Sequence, residues 1–559
     1  MARVGLPATP PARFRWRGLV QAPRCVWLVT VAFLFLLLSA TVLYPPYRGP
    51  DELAHVDLVV ALDHGVSPLW EPESRSTDLG VQAGALLPNV RLGSPQVLAE
   101  GTLPDRPDRV SYNDLGGRTS SGTNNQLVQH PPAYYLLLSG VLAVLPGWED
   151  MPFDRVVGLL RVFTVLLVAP LPLVAHYTAT RLTLLPVVPV MAAATVLAVP
   201  QLVHIGSSVN NDNLQNLLAG LCTAIVAFVA SGDSSRRTAV AAGVVLGLGL
   251  LTKGLMLVFV GVLGLAYLVA WSRRRSWRTA TSGLLALGIA FFIGGWWWLR
   301  NLIMYDRVQP SGRARSVEVV RGWGAEAWGW LGDFVVFVNA RFWFDHPSGS
   351  SSGVSIWLGV AASVVVTVLV AHALWPASRT QLPAVAALAV VAVPLPLLLA
   401  VLLLGSYETF TYGGNQPALQ GRYLFGGLVG FGVAASMGYA RLLRGTWPVI
   451  LLLPLGAWCA VAQLLAVFSA VRLYWWPADD RVGTLLSGLT RIMPWPDGVV
   501  LGVLAAAAVM AAAAGIETLR WASAGSGTRA GAAPDLARAS AHGQGDTGKR
   551  DVRHGEQRP

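Results

Sequence analysis

The sequence predicts an all-α polytopic membrane protein with about 12–13 transmembrane helices and a long first outer loop. Three observations carry this. Of 559 residues, 54% are hydrophobic and 13% charged, against about 25% charged in soluble domains. Apolar runs close to the ~20 residues that a membrane helix needs recur along the whole chain. Basic residues are unevenly placed. The first 25 residues hold Arg3, Arg13, Arg15, Arg17 and Arg24 and no acid. Further clusters (Arg236 with Arg237, Arg273 to Arg275 with Arg278, Arg441 with Arg444) fall in short gaps between runs. Loops of this kind stay cytoplasmic. The net charge of +11 is thereby accounted for by membrane topology and not by a nucleic-acid partner.

The elements follow in order. Residues 1–25 form a basic cytoplasmic N-terminus. The first span, 26–44, is read as retained, since no small-x-small cleavage site follows it. The loop 45–131 holds eleven acids and six basic residues, so it is placed outside, with a short amphipathic helix over 51–64. Spans are expected at 156–178, 183–199, 213–231, 238–252, 254–271, 279–299, 353–374, 382–404, 421–440, 447–470 and 498–516. The apolar segment "HPPAYYLLLSGVLAVLPG", 130–147, is short. If it crosses, every later basic loop flips outward, so it is read as re-entrant or interfacial; a full crossing gives thirteen spans. Residues 518–559, rich in Ala, Gly, Ser and Arg, have little to bury and read as a disordered cytoplasmic tail. Cys25, Cys222 and Cys459 suit neither a zinc site nor a disulfide framework.

In this topology the unusual polar residues collect on one side. "YPPYRGPDELAHVD" supplies Asp51, Glu52 and His55. His130 opens the short apolar segment, and "PQLVHIGSSVNNDN" carries Asn211 and Asp212. "GLLTKGLM" carries Lys253, "WWWLRNLIMYD" carries Arg300 and Asn301, and "NQPALQGRYLF" carries Arg422 and Tyr423. Each has a plainer reading. The acids after Pro50 suit a helix start, Lys253 could snorkel, Arg300 and Arg422 could anchor at the interface, and Asn211 with Asp212 could cap a span. Ionisable residues at membrane depth are costly, however, and their gathering on one side points to a site. Cations beside paired carboxylates fit a substrate with phosphate and sugar parts.

These motifs resemble the GT-C superfamily, integral-membrane glycosyltransferases that use lipid-linked sugars. "PDELAH", "HPPAYYL", "NND", "LLTKG", "RN" followed by "YD", and "GRYLF" resemble, more closely, the bacterial family of predicted membrane proteins named domain of unknown function 2142, over about residues 30–440. The resemblance implies a GT-C-like fold and an acid of the first outer loop, Asp51 or Glu52, as general base. It implies that Lys253 meets the lipid phosphate. Arg300 and Arg422 are added here as further phosphate partners, since guanidinium forks suit phosphate oxygens. His55, His130, Asn211, Asp212, Asn301 and Tyr423 are expected to line the substrate site.

The expected reaction moves a sugar from a polyprenyl-phosphate donor to a hydroxyl of an envelope glycan, lipid or protein, with inversion, on the outer face of the plasma (inner) membrane. No cofactor is required if the cations suffice, although Asp212 and the acid pair could hold a divalent metal. The alternatives are a transporter or flippase for lipid-linked glycans and a non-catalytic assembly subunit. A transporter needs a polar path to both faces, whereas the polar set here is one-sided.

Overall fold

The computed structural model describes residues 13–69, 75–87, 105–310, 325–344, 353–376, 378, 381–413, 420–444, 447–476 and 482–542. The loops 65–130 and 301–352 fall partly outside these residues.

Every expected span is helical. After a single turn at Arg17–Val20, the first long helix, α1, is Arg24–Leu43, and the run 156–178 becomes α4 (Phe153–Val168) and α5 (Leu171–Leu182). Val187–Thr195 (α6) and Pro200–Gly206 (α7) follow. Next come Asp212–Ala230 (α8), Arg236–Leu250 (α9), Leu257–Arg274 (α10), Trp277–Ala290 (α11) and Trp296–Tyr305 (α12). After Ala325–Trp343 (α13) come Gly353–Leu374 (α14), Leu382–Ala392 (α15) and Pro394–Gly413 (α16). A 3-10 turn Gly421–Gly427 leads into Leu428–Leu442 (α17), then Pro448–Tyr474 (α18), Val482–Ile492 (α19) and Asp497–His542 (α20).

Among the described residues ten helices are long and apolar enough to cross a membrane, and a pair bent by 67° at Val199 makes up to eleven. This is the expected polytopic all-α bundle, and of the twelve expected runs only 238–252 falls outside the ten or eleven. Helix α9, at 15 residues, is about 22 Å long at 1.5 Å per residue, short of the ~30 Å hydrocarbon core. The bend follows from Pro200, which has no N–H to continue the ladder. The last helix runs past residue 517, where the sequence places the start of the tail. Helix α13 was not foreseen; its apolar positions are broken by Glu326, Asp333 and Arg341.

The segment 130–147 forms an 11-residue helix, α3, Ala133–Ala143, too short to span. It packs on α2, Glu52–Asp63, in a cluster that includes Val56, Val59, Tyr134, Leu138 and Phe153. Helix α2 is less amphipathic than expected. Its charged residues Glu52 and Asp57 are buried, because each finds internal partners. A small antiparallel sheet, β1 (Ser76–Asp78) with β2 (Ser120–Asn124), covers it. Arg75 and Asn125 both donate to Asp57, and Tyr112 donates to Asp78. Burial pushes the Asp57 carboxyl above its ordinary range, while the Arg75 charge pulls the other way.

The bundle has two distinct ends. At one, Phe14 N–H donates to Asp233, Arg181 to the Ser231 carbonyl, Arg273 to the Ala230 carbonyl and Arg441 to the Trp375 carbonyl. This is the end of the basic clusters. At the other end lies the cap formed by α2, α3 and the sheet. Helix α8 joins the two; its 19 residues separate Asp212 from Ala230 by about 27 Å.

Candidate active site

Prolines 45, 46 and 50 take the chain off α1 and prevent it from continuing as helix. Within this loop Tyr47 and Asp51 adopt left-handed backbone, with φ of 61° and 58°, which costs a residue with a Cβ about 1–2 kcal/mol. Neighbouring groups hold it there. Arg161, midway along α4 and 2% exposed, donates to the Tyr44 carbonyl at 2.6 Å and to the Pro45 carbonyl at 2.9 Å. Its fork also closes on Glu52, Nε to Oε1 at 2.8 Å and NH2 to Oε2 at 2.6 Å. Glu52 Oε1 accepts the Val209 N–H at 2.8 Å as well. Asn210 Nδ2 donates to the Pro50 carbonyl at 3.0 Å. The residue between these clamps is Asp51.

The two acids therefore differ. The Glu52 side chain has no exposure and is saturated by Arg161 and backbone N–H groups. The sequence reading gave the base as Asp51 or Glu52; both Glu52 oxygens are already engaged, by the Arg161 fork and the Val209 and Gly49 N–H groups. Asp51 is the residue just before the first turn of α2, not inside it. Its side chain keeps 32% exposure. Gln126 Nε2 donates to its Oδ1 at 3.0 Å, and Arg422 NH2 donates to its Oδ2 at 2.7 Å.

From Asp51 an alternating chain of charge runs inward. Arg422 Nε lies 3.3 Å from Asp212 Oδ2. Lys253 Nζ donates to Asp212 Oδ1 at 2.5 Å and to Asn211 Oδ1 at 3.2 Å. Both cations lie against the Tyr423 ring, Lys253 Nζ at 4.9 Å and Arg422 Cζ at 5.3 Å from its centroid. Arg422 NH1, Asp212 Oδ2 and His130 Nδ1 are buried without a hydrogen-bond partner. His130 is pushed down to about 3 by burial and by the Lys253 and Arg422 charges, with Asp51 pulling it up. His55 Nδ1 lies 3.0 Å from the Tyr135 hydroxyl, with the two rings stacked; burial, then the charge of Lys253, lowers it well below the usual imidazole value.

Residues from four distant stretches, Asp51, Asp212 with Asn211, Lys253, and Arg422 with Tyr423, are thus in contact, and His130 and His55 lie beside them. Arg300 and Asn301 do not join them. Arg300 bonds to Asn301 and the Tyr305 hydroxyl and lies over the Trp297 and Tyr305 rings, while Asn301 holds the Val308 carbonyl. The aromatic surroundings of Arg300 make it an anchor of its own helix end. Sequence reasoning missed Arg161 and Gln126. A lone arginine inside the apolar run "VVGLLRVFTVLLV" was the available signal for the first; nothing in the loop pattern distinguished the second. Among the described residues no group of three or more His, Cys, Asp or Glu side chains is placed to hold a metal ion.

The fold is similar, at low identity, to solved membrane proteins. ArnT from Cupriavidus metallidurans bound to undecaprenyl phosphate shares 15% identity at a TM-score of 0.39, over 88% of this chain and 77% of that one. The Archaeoglobus fulgidus oligosaccharyltransferase shares 11% at 0.38, over 84% and 56%. The Archaeoglobus fulgidus AglB in complex with an inhibitory peptide and a dolichol-phosphate shares 13% at 0.36, over 79% and 56%. No curated protein matches in sequence. The family of predicted membrane proteins DUF2142 matches residues 33–429, about seven-tenths of the chain, and the matched stretch carries Asp51, Asp212, Lys253 and Arg422; the chain belongs to that family.

Proposed function

We propose that the protein is a glycosyltransferase that moves a sugar from a polyprenyl-phosphate donor to an acceptor hydroxyl, with Asp51 as general base. The observation that carries this reading is the pairing of one accessible carboxylate, Asp51, with two buried cations, Arg422 and Lys253. The basic clusters lie at the far end of the bundle. By the bias of basic loops toward the cytoplasm, the site faces the extracytoplasmic side of the plasma membrane.

The chemistry follows from charge flow. As the bond from the anomeric carbon to the phosphate oxygen breaks, negative charge grows on the leaving phosphate. Arg422 and Lys253, fixed in a low-dielectric setting, stabilise that charge. The acceptor oxygen forms its bond to the anomeric carbon from the opposite face, and its proton passes to Asp51. The products are the glycosylated acceptor, inverted at that carbon, and the free lipid phosphate. Glu52 and Arg161 hold Asp51 in place and take no proton. Tyr423, Asn211, His55 and His130 contribute the polar and aromatic wall against which a sugar ring rests.

The test is release of polyprenyl phosphate from a radiolabelled pool of polyprenyl-phosphate sugars by the protein in proteoliposomes. Wild type releases it in an acceptor-dependent manner. Asp51→Asn lowers the rate by about 100- to 10,000-fold, the range for losing a general base. Release by Asp51→Asn at the wild-type rate would refute the assignment.

A further inference from the structure

Asp212 sits where the two phosphate-binding cations meet. One oxygen takes Lys253 Nζ at 2.5 Å, the other lies 3.3 Å from Arg422 Nε, and the residue is 1% exposed. An incoming phosphate that uses both cations, through the unpartnered Arg422 NH1 and the remaining Lys253 N–H, comes to rest beside the Asp212 carboxylate. Inside a bundle of low effective dielectric, two anions at contact distance repel strongly, so carboxylate and phosphate compete for the pair.

The structure also contains a place for the carboxylate to go. Asn216 lies one turn further along α8, on the same face at i, i+4. Helical side chains lean toward the N-terminus, which carries the Asn216 amide toward residue 212. It is 2% exposed, and neither its Nδ2 nor its Oδ1 has a hydrogen-bond partner. Buried amides are nearly always paired, so an unpaired donor here calls for an acceptor that arrives in another state.

We propose that Asp212 is a displaceable counter-anion: the donor phosphate takes Lys253 and Arg422 from it, and the Asp212 carboxylate swings onto Asn216 Nδ2. This rests on the reading of the site as a polyprenyl-phosphate site. One consequence follows for the base. Arg422 bridges Asp212 and Asp51 through Nε and NH2, so sharing its charge with a phosphate on NH1 loosens its hold on Asp51. The acid becomes free to accept a proton only once the donor is seated, which keeps the base from acting on an acceptor in the donor's absence.

The experiment is equilibrium binding of undecaprenyl phosphate to the purified full chain in nanodiscs, with thermal unfolding measured in parallel. Asp212→Asn removes the competing charge while keeping the side chain's size, and is expected to bind about tenfold tighter, the effect of roughly one charge contact. Asn216→Leu removes the landing place and is expected to bind several-fold weaker, with an unfolding midpoint within a degree or two of wild type. If Asp212→Asn does not fold, the Asn216→Leu result decides alone. Unchanged binding by both variants overturns the proposal while leaving the phosphate site standing. Weaker binding by Asp212→Asn also overturns it, and a Mg²⁺ requirement for wild-type binding then assigns Asp212 to a metal. Absence of binding by wild type and both variants removes the phosphate reading, and this proposal with it.

Discussion

At the scale of single residues, the Arg161–Glu52 pair does most to shape the site. A buried ion pair broken on one side leaves an uncompensated charge and costs about 3–5 kcal/mol. Arg161→Met is therefore expected to lower the thermal unfolding midpoint sharply in detergent. Arg161→Met with Glu52→Leu should recover most of the loss, because neither charge is left behind. Activity should not recover in that double variant, since Asp51 then loses the clamp on its left-handed backbone. His130 gives a second prediction. Its ordinary value is 6.5 and in the folded chain it is about 3. Between these values the unfolded chain binds a proton that the folded chain does not, so stability rises with pH across that window. The His130 contribution is complete above about pH 6.5 and is lost as pH falls toward 3. Unfolding midpoints at pH 7.5, 5.5 and 4.5 should show the decline, and His130→Gln should flatten it by up to one proton, about 1.4 kcal/mol per pH unit. The sequence singles out Asp51, Lys253 and Arg422, which the fold brings together, because charges near bilayer depth are expensive wherever they stand. It does not separate Asp51 from Glu52, because that difference lies entirely in which oxygen an arginine 109 positions later reaches.

At the scale of elements, close helix contacts fix the frame around the site. A Cβ built on Gly438 would overlap the Leu369 carbonyl of α14, and one on Gly430 would overlap the Val391 carbonyl of α15. Small residues of this kind let membrane helices approach backbone to backbone. Gly438→Ala forces α17 and α14 apart and is expected to cost about 1–3 kcal/mol, the usual range for overpacking. The readout is the unfolding midpoint of the purified variant. Helix α17 follows directly from the 3-10 turn that carries Arg422, so the same variant should also weaken undecaprenyl phosphate binding. Most elements were legible from apolar length alone. Helix α13 was hidden because Glu326, Asp333 and Arg341 interrupt its pattern. The β1–β2 pair was hidden because three- and five-residue polar strands carry no alternation. The run 238–252 gives a helix, α9, of only 15 residues that still reaches from Arg236 to the turn carrying Lys253.

At the scale of the whole molecule, two chemically different ends imply an orientation. With Cys25, Cys222 and Cys459 replaced, Thr123→Cys and Arg237→Cys place single thiols at exposed positions on opposite ends. A membrane-impermeant maleimide should label position 123 and not 237 in intact cells, and both after permeabilisation. Labelling of 237 alone would invert the topology and take the proposed enzyme with it. The grip of Arg161 on residues 44, 45 and 52 also bears on how the chain is made. During synthesis the first helix and its following loop leave the ribosome well before position 161, and Arg422 lies 371 residues beyond Asp51. At about 5–20 residues per second, Asp51 waits roughly 20–70 s for its last contact. A nascent chain stopped before residue 420 would thus hold an inserted bundle with an unfinished site, open to quality-control proteases until its C-terminal quarter arrives.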